Sequence, residues 1–115
     1  MKKKANKYFN KKVIINGIKF DSKKECDYYF KLKALEKAGE IKDLKLQVPF
    51  ILIDTFKLNK KTYRKMTYKA DFCYYDKHNK LHVVDVKSEI TKKDKVYKIK
   101  KKLLAWKYGI EIEEV

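Results

Sequence analysis

The chain has 115 residues, the length of one domain with a single hydrophobic core. A hydrophobic content of 44% and an aromatic content of 14% exclude an intrinsically disordered chain, and no apolar run approaches the roughly 20 residues of a membrane span. The 31 basic residues outnumber the 15 acidic ones, so the net charge is +16. This charge favours a polyanionic partner, with nucleic acid first and an anionic membrane surface second.

The first predicted elements are a basic arm, a hairpin and a helix. Residues 1–11 are expected to form a flexible basic arm, which lacks the apolar stretch of a signal peptide and so predicts a cytoplasmic protein. The Asn-Gly pair at 16–17 between two β-branched runs is the strongest short signal for a hairpin. Asp21 or Ser22 can cap a helix that ends at Gly39.

The middle of the chain predicts three strands and a polar hairpin tip. Pro49 lies inside "LQVPFILI", so this strand is expected at an edge or at a bulge. The basic segment "DTFKLNKKTYRK" predicts a loop or hairpin tip. "MTYKADFCYY" alternates as a strand, and after a polar turn "LHVVDVK" forms a strand with an apolar centre.

The C-terminal part predicts one helix and a closing strand. "TKKDKVYKIKKKLLAWKYG" reads as one helix that is capped by Thr91 and ends near Gly109. "IEIEEV" closes the chain as a short strand. The helix has an apolar stripe that we expect to pack on the sheet, formed by Val96, Ile99, Leu103 and Trp106.

This order of elements predicts one α/β or α+β domain over residues 12–115, with a small mixed central sheet flanked by helices. Cys26 and Cys73 are too few and too far apart for a zinc motif, and His78 and His82 do not complete one. The two cysteines are therefore expected to be reduced thiols in or near the core.

Two carboxylates and a lysine lie on the two strands that the polar turn joins. Asp85 and Lys87 are two apart on one strand, so their side chains leave the same face. Asp71 lies on the preceding strand. If the turn closes around residues 78 and 79, Asp71 comes one residue out of register with Asp85, and a one-residue bulge would align them. The sequence leaves that register open.

Two carboxylates at cross-strand distance repel each other, and a bound divalent cation removes the free-energy cost of that repulsion. Oxygen ligands of this kind suit Mg²⁺ or Mn²⁺, and phosphodiester hydrolysis needs such a site. The alternative is that Asp85 and Lys87 form a solvated pair, one of many in a chain with 40% charged residues. The apolar setting "HVVDVK" favours the functional interpretation.

Glu25 is a third carboxylate with two interpretations. Ser22 and Glu25 have the spacing of a capping box, in which the glutamate reaches back to the Ser22 amide. Glu25 also shares a helix face with Tyr28, Tyr29 and Leu32, which would turn it towards the strands carrying the aspartates.

The series of a helix glutamate (Glu25), a strand aspartate (Asp71) and Asp85-Val86-Lys87 on the next strand resembles the PD-(D/E)xK nuclease superfamily. More narrowly, "NGIKFDSKKECDYYFKLKALEKAGEIKDLKLQVPFIL", "YKADFCYY" and "VVDVKS" are similar to a family of small phage-encoded proteins assigned to that superfamily. The similarity spans about residues 12–112, and the pattern is also that of archaeal-type Holliday-junction resolvases. Ala70 stands where the superfamily has its proline.

The resemblance implies a restriction-endonuclease-like core and a Mg²⁺- or Mn²⁺-dependent DNA endonuclease of phage or host cell, selective for branched DNA. By resemblance Glu25, Asp71, Asp85 and the Val86 carbonyl bind the metal, and Lys87 is the catalytic lysine. Gln47 matches a polar residue often near such sites. Resolvases act as two-fold dimers, and the Tyr-rich first helix or "LQVPFILI" could supply a homodimer seam.

The basic residues expected to contact nucleic acid are Lys23, Lys24, Arg64, Lys95, Lys98, Lys101 and Lys102. Two other functions remain open at this point. One is a non-catalytic nucleic-acid-binding module that uses the same lysines and stacks bases on its tyrosines. The other is a basic adaptor for an acidic partner or a membrane face.

Overall fold

The computed structural model describes residues 12–115 as a mixed α+β fold in which a four-stranded sheet has a long helix on each face. The predicted arm of residues 1–11 lies outside the described residues. The strands are β1 Val13–Ile15, β2 Ile18–Phe20, β3 Ile41–Ile53, β4 Phe56–Leu58, β5 Lys61–Tyr63, β6 Met66–Asp76, β7 Leu81–Asp85 and β8 Ile112–Glu114. The helices are α1 Lys23–Lys37, α2 Glu89–Lys92 and α3 Lys95–Tyr108.

The central sheet has the strand order β3-β6-β7-β8. The β3–β6 and β6–β7 pairs are antiparallel and the β7–β8 pair is parallel, which confirms the predicted mixed sheet. β3 is an edge strand, as Pro49 predicts, because a residue without an amide hydrogen is tolerated there. β1–β2 and β4–β5 are separate two-stranded ribbons.

The N-terminal hairpin and the first helix form where the local signals predict them. Asn16 and Gly17 both have positive φ, 51° and 81°, as a two-residue hairpin turn requires. Ser22 caps α1 by accepting a hydrogen bond from the Glu25 amide. Gly39, with φ 81°, follows the last turn in the left-handed conformation that glycine adopts most easily.

The C-terminal helix differs from its prediction, because the chain forms two helices where one is expected. Ser88 caps the short α2 by accepting from the Thr91 amide, so Thr91 is not the cap. Asp94 then caps α3 by accepting from the Tyr97 amide at 2.9 Å. An N-cap residue has an extended backbone, so the Asp94 cap ends one helix and starts another.

Of the predicted apolar stripe of α3, only Leu103 packs against the core. Val96, Ile99 and Trp106 are 57%, 54% and 80% exposed, and Tyr97 and Leu104 are buried in their place. Glu114 on β8 explains the choice of face, since its Oε2 accepts from the Tyr97 hydroxyl and lies 3.1 Å from Lys101 Nζ. A polar partner on the sheet thus turns a tyrosine and a lysine inward.

The sheet separates two hydrophobic clusters. The cluster on the α3 side comprises Leu52, Tyr68, Ala70, Cys73, Val83, Tyr97, Leu104 and Ile112. The cluster on the α1 side comprises Leu32, Ile41, Phe72 and Val84. Cys26 and Cys73 are both free and buried, as predicted, and burial raises the pKa of Cys73 to about 11. No helix within residues 12–115 has the length and apolar character needed to cross a bilayer.

His82 on β7 lies between two carboxylates. Its Nε2 is 2.8 Å from Asp76 Oδ2, and its Nδ1 contacts Glu113 Oε2. Burial lowers the pKa of His82, but the hydrogen bonds to Asp76 and Glu113 outweigh burial and raise the pKa above its ordinary value. The same contact holds the pKa of Asp76 at about 2. When protonated, the imidazole donates to both carboxylates and so ties β8 and the end of β6 to β7.

We expect His82 to stabilise the protein most below about pH 6.5, the pKa of an unfolded histidine. This contribution is lost as the pH rises through the higher pKa of the folded state, because a neutral imidazole can donate to only one of the two carboxylates. The melting temperature of His82→Gln should thus lie below that of the wild type at pH 5.5 and approach it at pH 9. His78→Gln, at an exposed turn position, is the control. A difference independent of pH would contradict the prediction.

Candidate functional site

Side chains along a strand normally alternate between the two faces of the sheet, and this alternation is interrupted at the same level of β3 and β6. Leu46 packs in the α1-side cluster and Val48 in the α3-side cluster, although residues two apart on a strand normally share a face. Ala70 and Phe72 on β6 divide between the two clusters in the same way. Gln47, between the first pair, has φ 52°, a left-handed conformation that is uncommon outside glycine. The interruption on β6 falls at Asp71.

Asp71 comes directly opposite Asp85. Phe72 pairs with Val84, and Cys73 pairs with Val83. Extending this register by one residue sets Asp71 opposite Asp85. The sequence predicts a turn centred between residues 78 and 79, and this prediction is wrong. The observed turn is centred on residue 78, so no bulge is needed to align the two aspartates. Asp76 closes a three-residue loop, since its amide donates to the Lys80 carbonyl at 3.0 Å. Its carboxylate Oδ1 also accepts from the amides of residues 78 and 80.

The strands β6 and β7 part at this level. The Val86 amide donates to Asp71 Oδ2 at 2.9 Å, so a side chain takes the place of a backbone carbonyl. On the other edge of this segment, Val115 accepts from the Lys87 amide and donates to the Asp85 carbonyl. Because backbone groups alternate along a strand, the Val86 carbonyl faces the Asp71 side.

Asp85 is a buried carboxyl, 2% exposed. The Tyr68 hydroxyl donates to its Oδ2 at 2.5 Å, and Lys87 Nζ lies 3.5 Å from the same oxygen. Burial and then the neighbouring Asp71 raise the pKa of Asp85 to about 7, against the opposing effects of Tyr68 and Lys87. The predicted shared face of Asp85 and Lys87 is confirmed by their contact.

Lys87 is held by more than its contact with Asp85. Its ammonium lies 4.6 Å from the centroid of the Tyr97 ring, a cation–π distance. Lys24 Nζ on α1 is 3.4 Å from the Lys87 carbonyl, so a second ammonium lies at the edge of the group. The Lys87 side chain is 20% exposed, which leaves its charge within reach of solvent.

Glu25 lies in the helix cap and also faces the sheet. It closes a capping box, but its Oε1 accepts from the Asp21 amide at 3.0 Å rather than from that of Ser22. Its Oε2 accepts from Gln47 Nε2 at 3.1 Å. Gln47 lies at the level of Asp71, because its neighbours Leu46 and Val48 pair with Phe72 and Ala70, so α1 turns Glu25 towards that level of the sheet. Burial and then the charge of Asp71 raise the pKa of Glu25 to about 7.

The structure therefore brings most of the predicted site residues into one group, formed by Glu25, Gln47, Asp71, Asp85, Val86 and Lys87. Each of the three carboxylates accepts at least one hydrogen bond from a protein group, and within residues 12–115 no three His, Cys, Asp or Glu side chains are arranged as a ready metal site. Ligation would exchange the Tyr68 and Gln47 contacts for a cation. The donor set is all oxygen, which suits Mg²⁺ or Mn²⁺.

The basic residues predicted to bind nucleic acid divide into three sets. Lys24 lies beside the carboxylates, and Lys23 next to it pairs with Asp27 at 2.9 Å. Arg64 follows β5, outside the group. Lys95, Lys98 and Lys102 are exposed on α3. Lys101, also on α3, pairs with Glu114 at 3.1 Å.

Two residues of the site are not predicted from the sequence. Tyr68 is three residues from Asp71 on the same strand, a spacing that alternation assigns to opposite faces, and only the break at Asp71 brings its hydroxyl to Asp85. Tyr97 lies on α3, outside the apolar stripe that the spacing indicates. A capping signal at Asp94 is present in the sequence and would have shifted the expected start of this helix.

The two roles of Glu25 can be separated. Glu25→Gln keeps an oxygen for the Asp21 amide, and Gln47 can turn its amide to match, so the free energy of unfolding should change by less than about 1 kcal/mol. If Glu25 is a ligand, DNA cleavage should collapse. Ser22→Ala is the opposite control, since it removes the cap at a cost of about 1 kcal/mol and should leave cleavage intact. Full cleavage by Glu25→Gln would remove Glu25 from the site.

A family model described as "Protein of unknown function (DUF1064)" matches residues 5–113. No curated protein and no solved structure matches the chain.

Proposed function

Because the chain belongs to the family described as a protein of unknown function (DUF1064), we propose its function from the geometry of its own side chains. The proposal is a Mg²⁺-dependent endodeoxyribonuclease of the PD-(D/E)xK type. It hydrolyses phosphodiester bonds, with a preference for branched DNA of the Holliday-junction kind. Its proposed place of action is the cytoplasm of a bacterial host cell, where two buried free thiols stay reduced.

The observation that carries the proposal is the charge balance of the site. When ionised, Glu25, Asp71 and Asp85 carry three negative charges from three different elements, against one positive charge inside the group on Lys87 and one at its edge on Lys24. The group then keeps a net negative charge, which a divalent cation would neutralise. A structural role explains the group poorly, because apolar side chains of similar volume usually replace buried ionic groups without loss of stability. Perturbed carboxyls of this kind concentrate at functional sites.

The residues that would hold Mg²⁺ are Asp71, Asp85, Glu25 and the Val86 carbonyl. When bound, the ion supplies an activated water and neutralises charge on the phosphate. Asp71 and Asp85 are carried by the sheet and Glu25 by the capped end of α1, so the three carboxylates lie in one region but must shift to ligate a single ion. Gln47 and Tyr68 donate hydrogen bonds to the Glu25 and Asp85 oxygens.

Lys87 is the group that points to hydrolysis rather than to metal binding alone. Its ammonium beside Asp85 can orient the attacking water, deliver a proton to the leaving sugar oxygen, or hold a phosphate oxygen. In the reaction the water oxygen forms a bond to phosphorus, and the bond from phosphorus to a sugar oxygen breaks. Lys24 at the site edge can hold a neighbouring phosphate.

The test is incubation of the purified protein with linear duplex, single-stranded and four-way-junction DNA, with Mg²⁺, with Mn²⁺ and with EDTA. We expect cleavage that needs a divalent ion and is fastest on the junction. A homodimer, which two symmetric cuts require, should appear when the protein and a junction are analysed by light scattering. No cleavage of any substrate with either ion would exclude the nuclease.

A second candidate is a non-catalytic nucleic-acid-binding module, which the net charge of +16 favours. Both candidates predict DNA binding that weakens with salt. They differ in that only the nuclease requires Asp71, Asp85 and Lys87 for an effect on the DNA. The variants described in the Discussion therefore separate them.

A further inference from the structure

The β4–β5 ribbon is the distal end of the β3–β6 hairpin, beyond the four-stranded sheet. Its two strands pair only with each other, through Phe56–Tyr63, Lys57–Thr62 and Leu58–Lys61, in the register that Ile53–Met66 sets at the end of the sheet. All six strand residues are exposed. A two-stranded ribbon by itself is only marginally stable in water.

The ribbon is supported at its base, where β4 and β5 meet the ends of β3 and β6. The Phe56 and Tyr63 rings stack with centroids 4.9 Å apart and an interplanar angle of 10°. At the base, the Lys65 amide donates to Thr55 Oγ1 at 3.1 Å. The end of β3 that feeds the ribbon is held to α3, because the Tyr108 hydroxyl donates to the Ile51 carbonyl at 2.7 Å. The ribbon is thus an arm with a fixed root.

The arm is strongly basic. Five cations and one carboxylate, Asp54, lie on it and at its base, and no salt bridge within residues 12–115 uses any of the five. The five are Lys57, Lys60, Lys61, Arg64 and Lys65. Cations without a salt-bridge partner on an exposed element indicate a surface that binds a polyanion. The Phe56 and Tyr63 rings already stack on each other, so a single-stranded base finds less free ring surface there.

The turn at the tip keeps a lysine where glycine is favoured. Asn59 and Lys60 both have positive φ, 51° and 65°. The same two-residue turn in the β1–β2 hairpin uses Asn16 and Gly17, the favoured pair. A lysine with φ of 65° is strained compared with glycine, so the chain accepts strain to carry a charge at the tip.

From the exposed ribbon, its unpaired cations and the lysine at its tip, we propose that β4–β5 is a duplex-DNA-binding arm that docks in a groove outside the cleavage site. The inference rests on the proposed function for the identity of the nucleic acid. The major groove of B-DNA admits a two-stranded ribbon, and the lysines then face phosphates on both sides. From Gln47 to Asn59 the extended chain spans at most about 40 Å, so the arm reaches up to about 12 base pairs from the carboxylates.

The experiment is equilibrium binding in EDTA, which is independent of cleavage. The variant combines Lys57→Gln, Lys60→Gln and Lys61→Gln. The matched control combines Lys37→Gln, Lys42→Gln and Lys80→Gln, which removes the same charge from exposed positions at the other end of β3 and β6. If each arm lysine contacts one phosphate, the slope of log binding constant against log salt concentration should be smaller in magnitude by about 2.7 for the variant. Between 50 and 200 mM salt the wild type should therefore lose about 40-fold more affinity than the variant.

Duplex length gives a second measurement. The arm variant should bind worse than the control to a duplex of about 25 base pairs, and the difference should vanish on one of about 6. Lys60→Gly should also weaken binding to the long duplex while its melting temperature equals or exceeds that of the wild type. Equal salt slopes for the arm and control variants would overturn the proposal, as would a loss of binding to anionic vesicles without a loss of binding to the duplex. Either result leaves cleavage by the carboxylates as a separate question.

Discussion

Asp85→Asn is expected to abolish Mg²⁺-dependent cleavage while the protein stays folded and binds DNA as tightly as before, or more tightly. The asparagine oxygen can still accept from the Tyr68 hydroxyl, so the local contact survives. The change removes a buried ionisable group that faces Asp71, which relieves repulsion. It also removes a negative charge that faces the DNA phosphates. The loss of a metal ligand should therefore appear in cleavage alone, and Asp71→Asn should behave in the same way.

The measurement pairs cleavage rates with metal-dependent melting. At about 100 times its Kd, an ion that binds only the folded state stabilises it by about 2.7 kcal/mol. Mg²⁺ or Mn²⁺ should therefore raise the melting temperature of the wild type and leave that of Asp85→Asn unchanged. Asp43→Asn is the matched control, since Asp43 is exposed and its φ of 56° suits asparagine. Wild-type cleavage by both Asp71→Asn and Asp85→Asn would end the metal-site proposal.

Lys87→Ala is expected to lower the rate of the chemical step by about 10²-fold or more, the usual loss on removing one preorganised transition-state group. A lysine is not a Mg²⁺ ligand, so the metal-dependent rise in melting temperature should persist. Most DNA affinity should persist as well, because the salt slope falls by only about 0.9 for one phosphate contact. The contrast with Asp85→Asn separates the catalytic step from metal binding.

Arginine at position 87 should not restore the rate. The ammonium lies between Asp85 Oδ2, at 3.5 Å, and the Tyr97 ring, at 4.6 Å, and a planar, permanently charged guanidinium does not reproduce that compact group. The assay is single-turnover cleavage of a junction and a duplex under saturating Mg²⁺, with a parallel binding titration. Lys93→Ala, at an exposed position, controls for the loss of one positive charge. A wild-type rate for Lys87→Ala would favour the binding module.

Several features follow from residues close together in the chain. The hairpin at Asn16-Gly17, the cap at Ser22 and the end of α1 before Gly39 depend on a few neighbouring dihedral angles and amides. The shared face of Asp85 and Lys87 follows from the two-residue period of a strand. Local chemistry also indicates a third carboxylate at Glu25, since the capping box and the inward helix face occur together. These are the parts of the candidate site that the sequence predicts.

The sequence by itself thus determined the order of the main strands and the two long helices, the mixed sheet and the candidate carboxylates, but not the short α2. Only the tertiary structure decided how they meet. The register of Asp71 against Asp85 depends on a three-residue loop closed by Asp76, because a change of one residue in a loop shifts every cross-strand pair. The buried face of α3 depends on Glu114, a partner distant in the chain from Tyr97. The break in alternation at Gln47 and Asp71 arises where two helices pack on opposite faces of one sheet, and no local preference encodes that meeting.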